Sequence, residues 1–97
     1  MILAMISSFH DSATESIWIG EFTKKLPNQI QAVARRKLRM VNSARRIDDL
    51  RIPPNNRLES LDGDRAGQWS IRINDQWRVC FEWNDGHAAR VEICDYH

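Results

Sequence analysis

The C-terminal third of the chain alternates between apolar and polar residues, which is the period of a β-strand with one buried face. The stretches QWSIRI at 68–73, QWRVCFEW at 76–83 and ARVEICDYH at 89–97 all follow this rule. Between them, Asn74-Asp75 and the tripeptide NDG at 84–86 have the composition of tight hairpin turns. The pattern therefore predicts three consecutive antiparallel strands.

The same alternation gives this predicted sheet two different faces. One face receives Trp, Val, Ile and Phe side chains, and we expect helices to cover it. The other face is predicted to be polar and open to solvent. Its side chains are Gln68, Ser70, Arg72, Arg78, Glu82, Arg90, Glu92 and Tyr96.

The clearest helix lies in the middle of the chain. The stretch PNQIQAVARRKLRMVNSA at 27–44 begins with a proline suited to a first helical turn. Its apolar residues recur at helical spacing, and they are Ile30, Val33, Ala34, Leu38 and Val41. Arg35, Arg36 and Arg39 are predicted to project from the other side of the helix.

Weaker patterns before this helix predict a first strand and a shorter helix. ILAMISSF at 2–9 reads as the strand. DSATESIWIGEFTKK at 11–25 offers N-cap residues at Asp11 and Ser12. The apolar stripe of this shorter helix is expected to consist of Ile17, Ile19 and Phe22. Prolines and asparagines at 53–56 indicate a loop before the sheet.

Together these elements predict an α+β fold in the order β-α-α-β-β-β, with a small twisted antiparallel sheet backed by two N-terminal helices. A chain of 97 residues holds one hydrophobic core, so residues 1–97 are expected to form a single domain. No apolar run approaches the roughly 18 residues that span a bilayer. The N-terminal stretch also lacks the basic region and cleavage site of a signal peptide. We therefore expect a cytoplasmic protein without a membrane partner.

The charges are strongly segregated, although the formal net charge is only +1. Residues 24–51 carry nine Lys and Arg side chains against Asp48 and Asp49, a local charge of 9 − 2 = +7. Such segregation is typical of a surface that binds an anionic partner, and equally of a solvated helix face. Charge alone leaves both interpretations open.

Three motifs carry a resemblance to a known family. They are the pattern L-x-x-L-x-G-x-R-x-G-x-x-S-I from Leu58 to Ile71, W-R-x-x-F at 77–81, and the terminal D-Y-H at 95–97. In this combination the chain resembles the HigB-type killer proteins of the RelE toxin superfamily, in particular their GraT-like branch. The resemblance is densest from Arg57 onward and weak before Pro27.

The resemblance implies the toxin of a toxin–antitoxin pair, which enters the ribosome and cleaves messenger RNA in the A site. The implied chemistry needs neither a metal nor a cofactor, because the 2′-OH of the substrate attacks the adjacent phosphate. Implied partners are the 70S ribosome with its messenger RNA and a helix-turn-helix antitoxin, which would connect the toxin to operator DNA.

This chemistry requires a base for the 2′-OH proton, cations for the charged phosphorane, and an acid for the leaving oxygen. Arg78 lies on the open face and matches the strand arginine of the family, so it is our candidate phosphate ligand. The structural alternative is a cross-strand ion pair with Glu82 or Glu92. Tyr96 is predicted on the same face, where it could stack on a base or contact the phosphate.

His97 is the side chain near this face whose ordinary pKa lies near neutrality, so it is a candidate general acid or general base. Asp95 alternates to the other face and is expected to orient His97 or Tyr96, or to hold the backbone. Glu59 stands where some relatives have histidine, and Asp62 where they have lysine. Glu59 could act as the base if an arginine offsets its charge.

Further contacts to RNA are expected from arginine side chains, which bind the phosphate backbone without reading sequence. The candidates are Arg35, Arg36, Arg39, Arg65 and Arg72. No metal site is predicted, because His87, His97, Cys80 and Cys94 lack ligand spacing. The competing hypothesis is a non-catalytic module that binds RNA or an antitoxin on the same scaffold.

Overall fold

The computed structural model describes residues 6–95, so the expectations for residues 1–5, Tyr96 and His97 lie outside the described part of the chain. Helix α1 spans Ser12–Trp18 and helix α2 spans Asn28–Ser43. The strands that follow are β1 Glu59–Ser60, β2 Gln68–Arg72, β3 Trp77–Asn84 and β4 His87–Asp95. Short 3-10 helices occupy the connections, at Ile47–Arg51, Pro54–Asn56 and Gly63–Arg65.

The strands form an antiparallel sheet in the order β1-β2-β3-β4. Helices ahead of a sheet of sequential strands confirm the predicted α+β fold. Strand β1 has no counterpart in the sequence prediction, because a pair of exposed polar residues carries no periodic signal. None of the helices in the described region is long and apolar enough to cross a membrane.

The predicted first strand is reduced, within residues 6–95, to isolated parallel bridges. Ile6 bridges to Ala88 and Phe9 bridges to Val91. Strand β4 is irregular between these bridges, because Arg90 has a φ of +52°. The segment therefore runs along β4 without a continuous ladder, and the expectation of a regular strand there was wrong for the described residues.

The two predicted hairpin turns have different outcomes. Asn84 pairs with His87 across the β3-β4 hairpin, which leaves Asp85-Gly86 as a two-residue turn. Both turn residues have the positive φ that a type I′ turn requires, +51° and +81°. This turn is confirmed.

The β2-β3 turn is one residue longer than predicted. Ile73 N–H donates to the Trp77 carbonyl at 2.9 Å, so the connection is 74–76 rather than Asn74-Asp75 alone. The Asn74 Oδ1 atom accepts hydrogen bonds from the backbone N–H groups of Gln76 and Trp77, both at 2.8 Å. These two hydrogen bonds to the Asn74 side chain close the longer turn in the manner of an Asx-turn.

Helix α1 is short, and its apolar stripe differs from the prediction. Asp11 is confirmed as the N-cap, since its Oδ1 atom accepts the Thr14 N–H at 2.8 Å. Ile17 is buried as expected. Ile19 and Phe22 are 58% and 62% exposed, because the helix ends before them. Their assignment to the buried stripe was wrong.

Helix α2 packs on the sheet as its periodicity predicts. Ile30, Ala34, Leu38 and Val41 are buried, and Val33 packs against them at the margin. The sheet residues that share this core are Ile71, Ile73, Val79, Phe81, Val91 and Ile93. The burial of these apolar faces between helices and sheet is the main stabilising contribution to the fold.

The opposite face of the sheet is partly covered, contrary to the prediction of an open polar surface. Ser70 and Cys80 are completely buried, and Cys94 is almost so. Leu61 follows β1 and continues its pairing with β2, since the Leu61 N–H donates to the Gln68 carbonyl at 2.9 Å. The Leu61 side chain packs on the two cysteines, so the centre of this face is a small second core.

Candidate active site on the sheet face

Arg78 is the best-anchored cation on this face. Its Nε atom donates to Ser70 Oγ at 2.8 Å, and its Nη2 atom donates to the Arg57 carbonyl at 2.7 Å. The Glu59 Oε1 atom lies 3.5 Å from Nη2. The Arg78 side chain is 12% exposed, whereas that of Glu59 is 49% exposed. The guanidinium is thus fixed from two segments and flanked by an accessible carboxylate.

The Arg57 carbonyl is presented by an unusual backbone conformation. Arg57 has a φ of +47°, at the end of the 3-10 helix Pro54–Asn56. Asn56 is completely buried and donates to the Leu50 carbonyl at 3.2 Å. It also accepts a 2.6 Å hydrogen bond from Lys37 Nζ on helix α2. A polar link between helix and loop therefore supports the backbone that holds Arg78.

Lys37 and Asn56 were missed in the sequence analysis. Lys37 is only 5% exposed, and desolvation lowers its pKa, with further lowering by Arg36 and Arg72. A signal was present, because position 37 falls within the apolar stripe of α2, seven residues after Ile30. A lysine in a core stripe has to find a buried acceptor, and Asn56 supplies it.

The expected structural alternative was an ion pair between Arg78 and Glu82 or Glu92, but both of these acids have other arginine partners. Glu92 Oε1 lies 3.1 Å from Arg65 Nη1, and Glu82 Oε2 lies 3.9 Å from Arg90 Nε. Glu59, by contrast, is an acidic residue that does lie beside Arg78. Strand pairing explains this, because Glu59 lies opposite Ser70, the residue that accepts from Arg78.

Arg65 lies further along the same face, in a polar hollow of about 390 Å³. It donates to Gln68 Oε1 at 3.0 Å and to Glu92 Oε1 at 3.1 Å. The Glu92 hydrogen bond raises the pKa of Arg65, so this side chain is a permanent cation. The residues that line the hollow are His10, Asp64, Arg65, Gln68, Arg90 and Glu92.

The other predicted site residues are placed as follows. Arg72 forms an ion pair with Asp75 in the β2-β3 turn. Asp95 pairs with Trp77 in the ladder, and its Oδ2 atom accepts from Gln76 Nε2 at 2.9 Å. Tyr96 and His97 follow directly in the chain and lie outside the described residues, so their roles stay predictions.

The predicted basic residues of α2 belong to the helix layer, on the other side of the sheet from Arg78. Arg36 and Arg39 are exposed. Arg35 is half-buried, and its guanidinium lies so close to Gly20 that a Cβ there would be 3.0 Å from Nη2. The predicted residues therefore divide between two surfaces, and Arg35 is set apart from its neighbours.

Other groups that could carry chemistry already have structural roles. The sulfur atoms of Cys80 and Cys94 are 2.8 Å apart, and this contact together with burial raises the pKa of Cys80. Donor atoms of His10, Asp11 and Glu92 lie within 4.8 Å of one another. However, Asp11 caps α1 and Glu92 binds Arg65, so both carboxylates are already in use.

Comparison with known proteins gives a consistent assignment. Residues 7–97 match a family model described as the RelE-like toxin HigB of a type II toxin–antitoxin system. Toxin HigB-1 of Vibrio cholerae serotype O1 is 40% identical over 90 residues, which cover 92% of this chain and 95% of that protein. Endoribonuclease HigB of Proteus vulgaris is 30% identical over 93 residues, covering 96% and 100%.

A solved structure shows the same fold at low sequence identity. The YoeB-YefM complex from Staphylococcus aureus contains a chain that superimposes with a TM-score of 0.59 at 18% identity. The superposition covers 97% of this chain and 99% of that chain. This likeness supports the arrangement of helices and sheet.

Proposed function

We propose that this chain, which belongs to the HigB-like toxin family of type II toxin–antitoxin systems, is an endoribonuclease that cleaves messenger RNA in the A site of the ribosome. The observation that carries the proposal is the Arg78 guanidinium, held by Ser70 Oγ and the Arg57 carbonyl. A fixed arginine on the sheet face, beside an accessible carboxylate, is suited to bind a phosphate and to stabilise charge on it.

The proposed reaction is transfer within the RNA strand. The 2′-OH loses its proton and attacks the adjacent phosphorus, the bond to the 5′-oxygen of the next nucleotide breaks, and a 2′,3′-cyclic phosphate remains. Glu59 is the proposed base, since its carboxylate is accessible and Arg78 offsets its charge at 3.5 Å. His97 is the proposed acid that protonates the leaving oxygen, and Tyr96 the proposed stacking residue.

The remaining residues are proposed to position the RNA. Arg36 and Arg39 on the exposed side of α2 would bind ribosomal RNA backbone. Arg65 and Arg72 would contact the messenger near the reacting phosphate, and Asp95 would orient the chain end through its bond to Gln76. A metal or cofactor is not part of this proposal. The proposed setting is the bacterial cytoplasm, with a helix-turn-helix antitoxin that links the toxin to its operator.

The direct test is primer extension on a defined messenger RNA, incubated with this protein with or without programmed 70S ribosomes. We expect cuts within the A-site codon only when ribosomes are present. Arg78→Ala should lower the cleavage rate by about 10²- to 10³-fold, the usual effect of removing one charge-stabilising donor. The matched control is Arg51→Ala, a solvent-exposed arginine paired with Asp48. Intact RNA with folded wild-type protein would contradict the proposal.

A second candidate function is supported by Glu59 itself. The Glu59 carboxylate lies 3.5 Å from Arg78 and repels a phosphate that approaches this arginine. Such an arrangement would suit a module that binds RNA or an antitoxin without cleaving RNA. Growth arrest after expression separates these candidates when the wild type is compared with a chain lacking His97. Arrest that requires His97 favours catalysis. Arrest that persists without it favours blockade of the ribosome by binding.

A further inference from the structure

Two thiols beside Arg78 have no part in the proposed reaction. Cys80 and Cys94 are free cysteines on the neighbouring strands β3 and β4. In the ladder Cys80 pairs with Glu92 and Cys94 pairs with Arg78, so the two cysteines occupy diagonal positions on one face of the sheet. Their Sγ atoms are 2.8 Å apart. A pair of thiols in direct contact is a candidate for reversible oxidation.

The geometry of the pair is close to that of a disulfide. A disulfide bond is about 2.05 Å long, so the two sulfur atoms need to approach each other by roughly 0.8 Å. Strands β3 and β4 are already held together on both sides of the pair, by the ladder pairs Trp77 with Asp95 and Trp83 with Ala88. The bond can therefore form without a rearrangement of the sheet.

The two thiols differ in their expected reactivity. Contact with Cys80 lowers the pKa of Cys94, whereas burial raises it. The nearby cations Arg65 and Arg78 lower the pKa of Cys94 further. The same contact and burial raise the pKa of Cys80. Because the thiolate is the nucleophile, Cys94 is suited to react first with an oxidant and Cys80 to attack second.

Access to the sulfur atoms is controlled by Leu61. Cys80 is completely buried, Cys94 is 7% exposed, and the Leu61 side chain packs on both. Leu61 follows β1, an exposed strand of two residues at the edge of the sheet. A short edge element with few buried contacts opens locally at a lower cost than the core. A peroxide molecule, little larger than water, can reach Cys94 when this segment opens.

We propose that Cys80 and Cys94 form a redox-sensitive modification site, which hydrogen peroxide converts into an intrachain disulfide between β3 and β4. The inference goes beyond the proposed nuclease function and does not depend on it. In a reducing compartment the pair is expected to be a dithiol, and the bridge is expected to form transiently. The bridge would join the two strands beside Arg78 and one residue before Asp95. Oxidation would therefore stabilise the part of the sheet that holds the candidate site.

The proposed oxidation takes place in two steps. The Cys94 thiolate attacks one oxygen of the peroxide and the O–O bond breaks, which gives a sulfenic acid, and the leaving hydroxide takes up the thiol proton as water. The Cys80 sulfur then attacks the Cys94 sulfur, the S–O bond breaks, and the S–S bond forms with loss of a second water. One peroxide is reduced, and two thiols are oxidised to one disulfide.

The test treats the reduced full chain with hydrogen peroxide, stops the reaction with catalase, and counts the remaining thiols in denaturant. We expect both thiols to be lost, the intact mass to fall by that of two hydrogen atoms, and dithiothreitol to reverse both changes. The thermal unfolding midpoint of the oxidised chain should rise by about 5–15 °C, because the bridge restricts the unfolded state. The double variant Cys80→Ala with Cys94→Ala controls for oxidation of methionine, and peroxide should not raise its midpoint.

Single variants test the order of the two steps. Cys80→Ala removes the second thiol, so the sulfenic acid on Cys94 should persist and be trapped by dimedone. Cys94→Ala should give little of this adduct, since the remaining Cys80 thiol is the more buried one. Equal amounts of adduct in the two variants would contradict the assigned order of attack.

A variant of the covering residue tests the route of access. Leu61→Ala should accelerate thiol loss at least about tenfold, because truncation of a buried leucine weakens the closed state. Leu58→Ala is the matched control, since it removes the same side chain from a position that packs on the main core. Equal acceleration by both variants would contradict access through the Leu61 segment.

The wild-type chain also provides the outcomes that would overturn the proposal, with circular dichroism to verify that it is folded. Retention of both thiols under peroxide would do so, and so would oxidation to sulfinic acid without a disulfide. Disulfide-linked dimers on a non-reducing gel, in place of an oxidised monomer, would likewise overturn it. None of these measurements involves RNA, so their failure and a failure of the proposed nuclease function are distinguishable.

Discussion

Arg78 illustrates how much of the geometry of a candidate site residue depends on its neighbours. Its position on the strand follows from alternation, and the sequence predicted its face correctly. The acceptors that fix it, Ser70 Oγ and the Arg57 carbonyl, come from another strand and from a residue with positive φ. No local pattern predicts a left-handed arginine, so this part of the site was inaccessible to sequence reasoning.

Ser70→Ala is expected to loosen Arg78 while leaving the sheet intact. Ser70 is fully buried, and its loss leaves Arg78 Nε without that acceptor. Denaturant unfolding should show a loss of about 1–3 kcal/mol, the usual cost of a buried donor deprived of its partner. Cleavage should fall by about tenfold or more. Ser60→Ala, an exposed serine on β1, is the control, and an unchanged cleavage rate in Ser70→Ala would contradict the positioning role.

The variant Glu59→Gln tests whether Glu59 acts as the general base. The amide keeps the size of the side chain and removes its charge beside Arg78. If Glu59 takes the 2′-OH proton, the cleavage rate should fall by about 10²- to 10⁴-fold. Affinity for the ribosome should not weaken, since the variant repels phosphate less. Glu82→Gln serves as control, and a faster reaction in Glu59→Gln would assign the base elsewhere.

At the scale of elements, periodicity correctly predicted the helix and the strands that are long and amphipathic. Helix α2 and strands β2 to β4 lie where their patterns indicated, because their buried faces repeat several times. The short elements were less predictable. Helix α1 ends at Trp18, so Ile19 and Phe22 leave the expected stripe. The covering of the sheet face by Leu61 is a long-range contact that no local pattern encodes.

The conformation of the loop after α2 is stabilised by the carboxylate of Asp49. The Asp49 Oδ2 atom accepts from the backbone N–H groups of Arg45 at 3.0 Å and Arg46 at 3.1 Å. These hydrogen bonds, first that from Arg46 and then that from Arg45, lower the pKa of Asp49 below its ordinary value of 3.8. Between the lowered pKa and 3.8 the unfolded state binds a proton that the folded state does not, so stability rises with pH there.

Asp49→Ala is therefore expected to be less stable than the wild type at pH 7. The difference should persist down to about pH 4, the ordinary range for an Asp carboxyl. It should shrink as the pH falls through the lowered pKa of the folded state. Urea unfolding of both proteins from pH 7 to pH 2 measures this difference. Asp62→Ala is a suitable control, and a difference that grew towards acid would contradict the role of the Asp49 carboxylate.

At the scale of the whole molecule, the proposed function gives the two surfaces separate tasks. The sheet face carries Arg78 and Glu59, whereas the helix layer carries the exposed Arg36 and Arg39. The sequence predicted both the basic helix and its place against the apolar side of the sheet, across from Arg78, and the structure confirms this arrangement. A substrate cleaved on one face would leave the basic helix facing outward, where it could bind the surrounding ribosome.

This division predicts a specific salt dependence. Arg36→Gln with Arg39→Gln should weaken binding to 70S ribosomes, and the slope of log affinity against log salt should fall by about 0.7–0.9 for each phosphate that the variant no longer neutralises. Arg51→Gln, with its arginine paired to Asp48 at 2.9 Å, removes one charge and should alter the slope far less than Arg36→Gln or Arg39→Gln alone. Sedimentation binding between about 50 and 200 mM salt covers the informative range. If the double variant kept the wild-type slope, Arg36 and Arg39 would make no contact with ribosomal RNA.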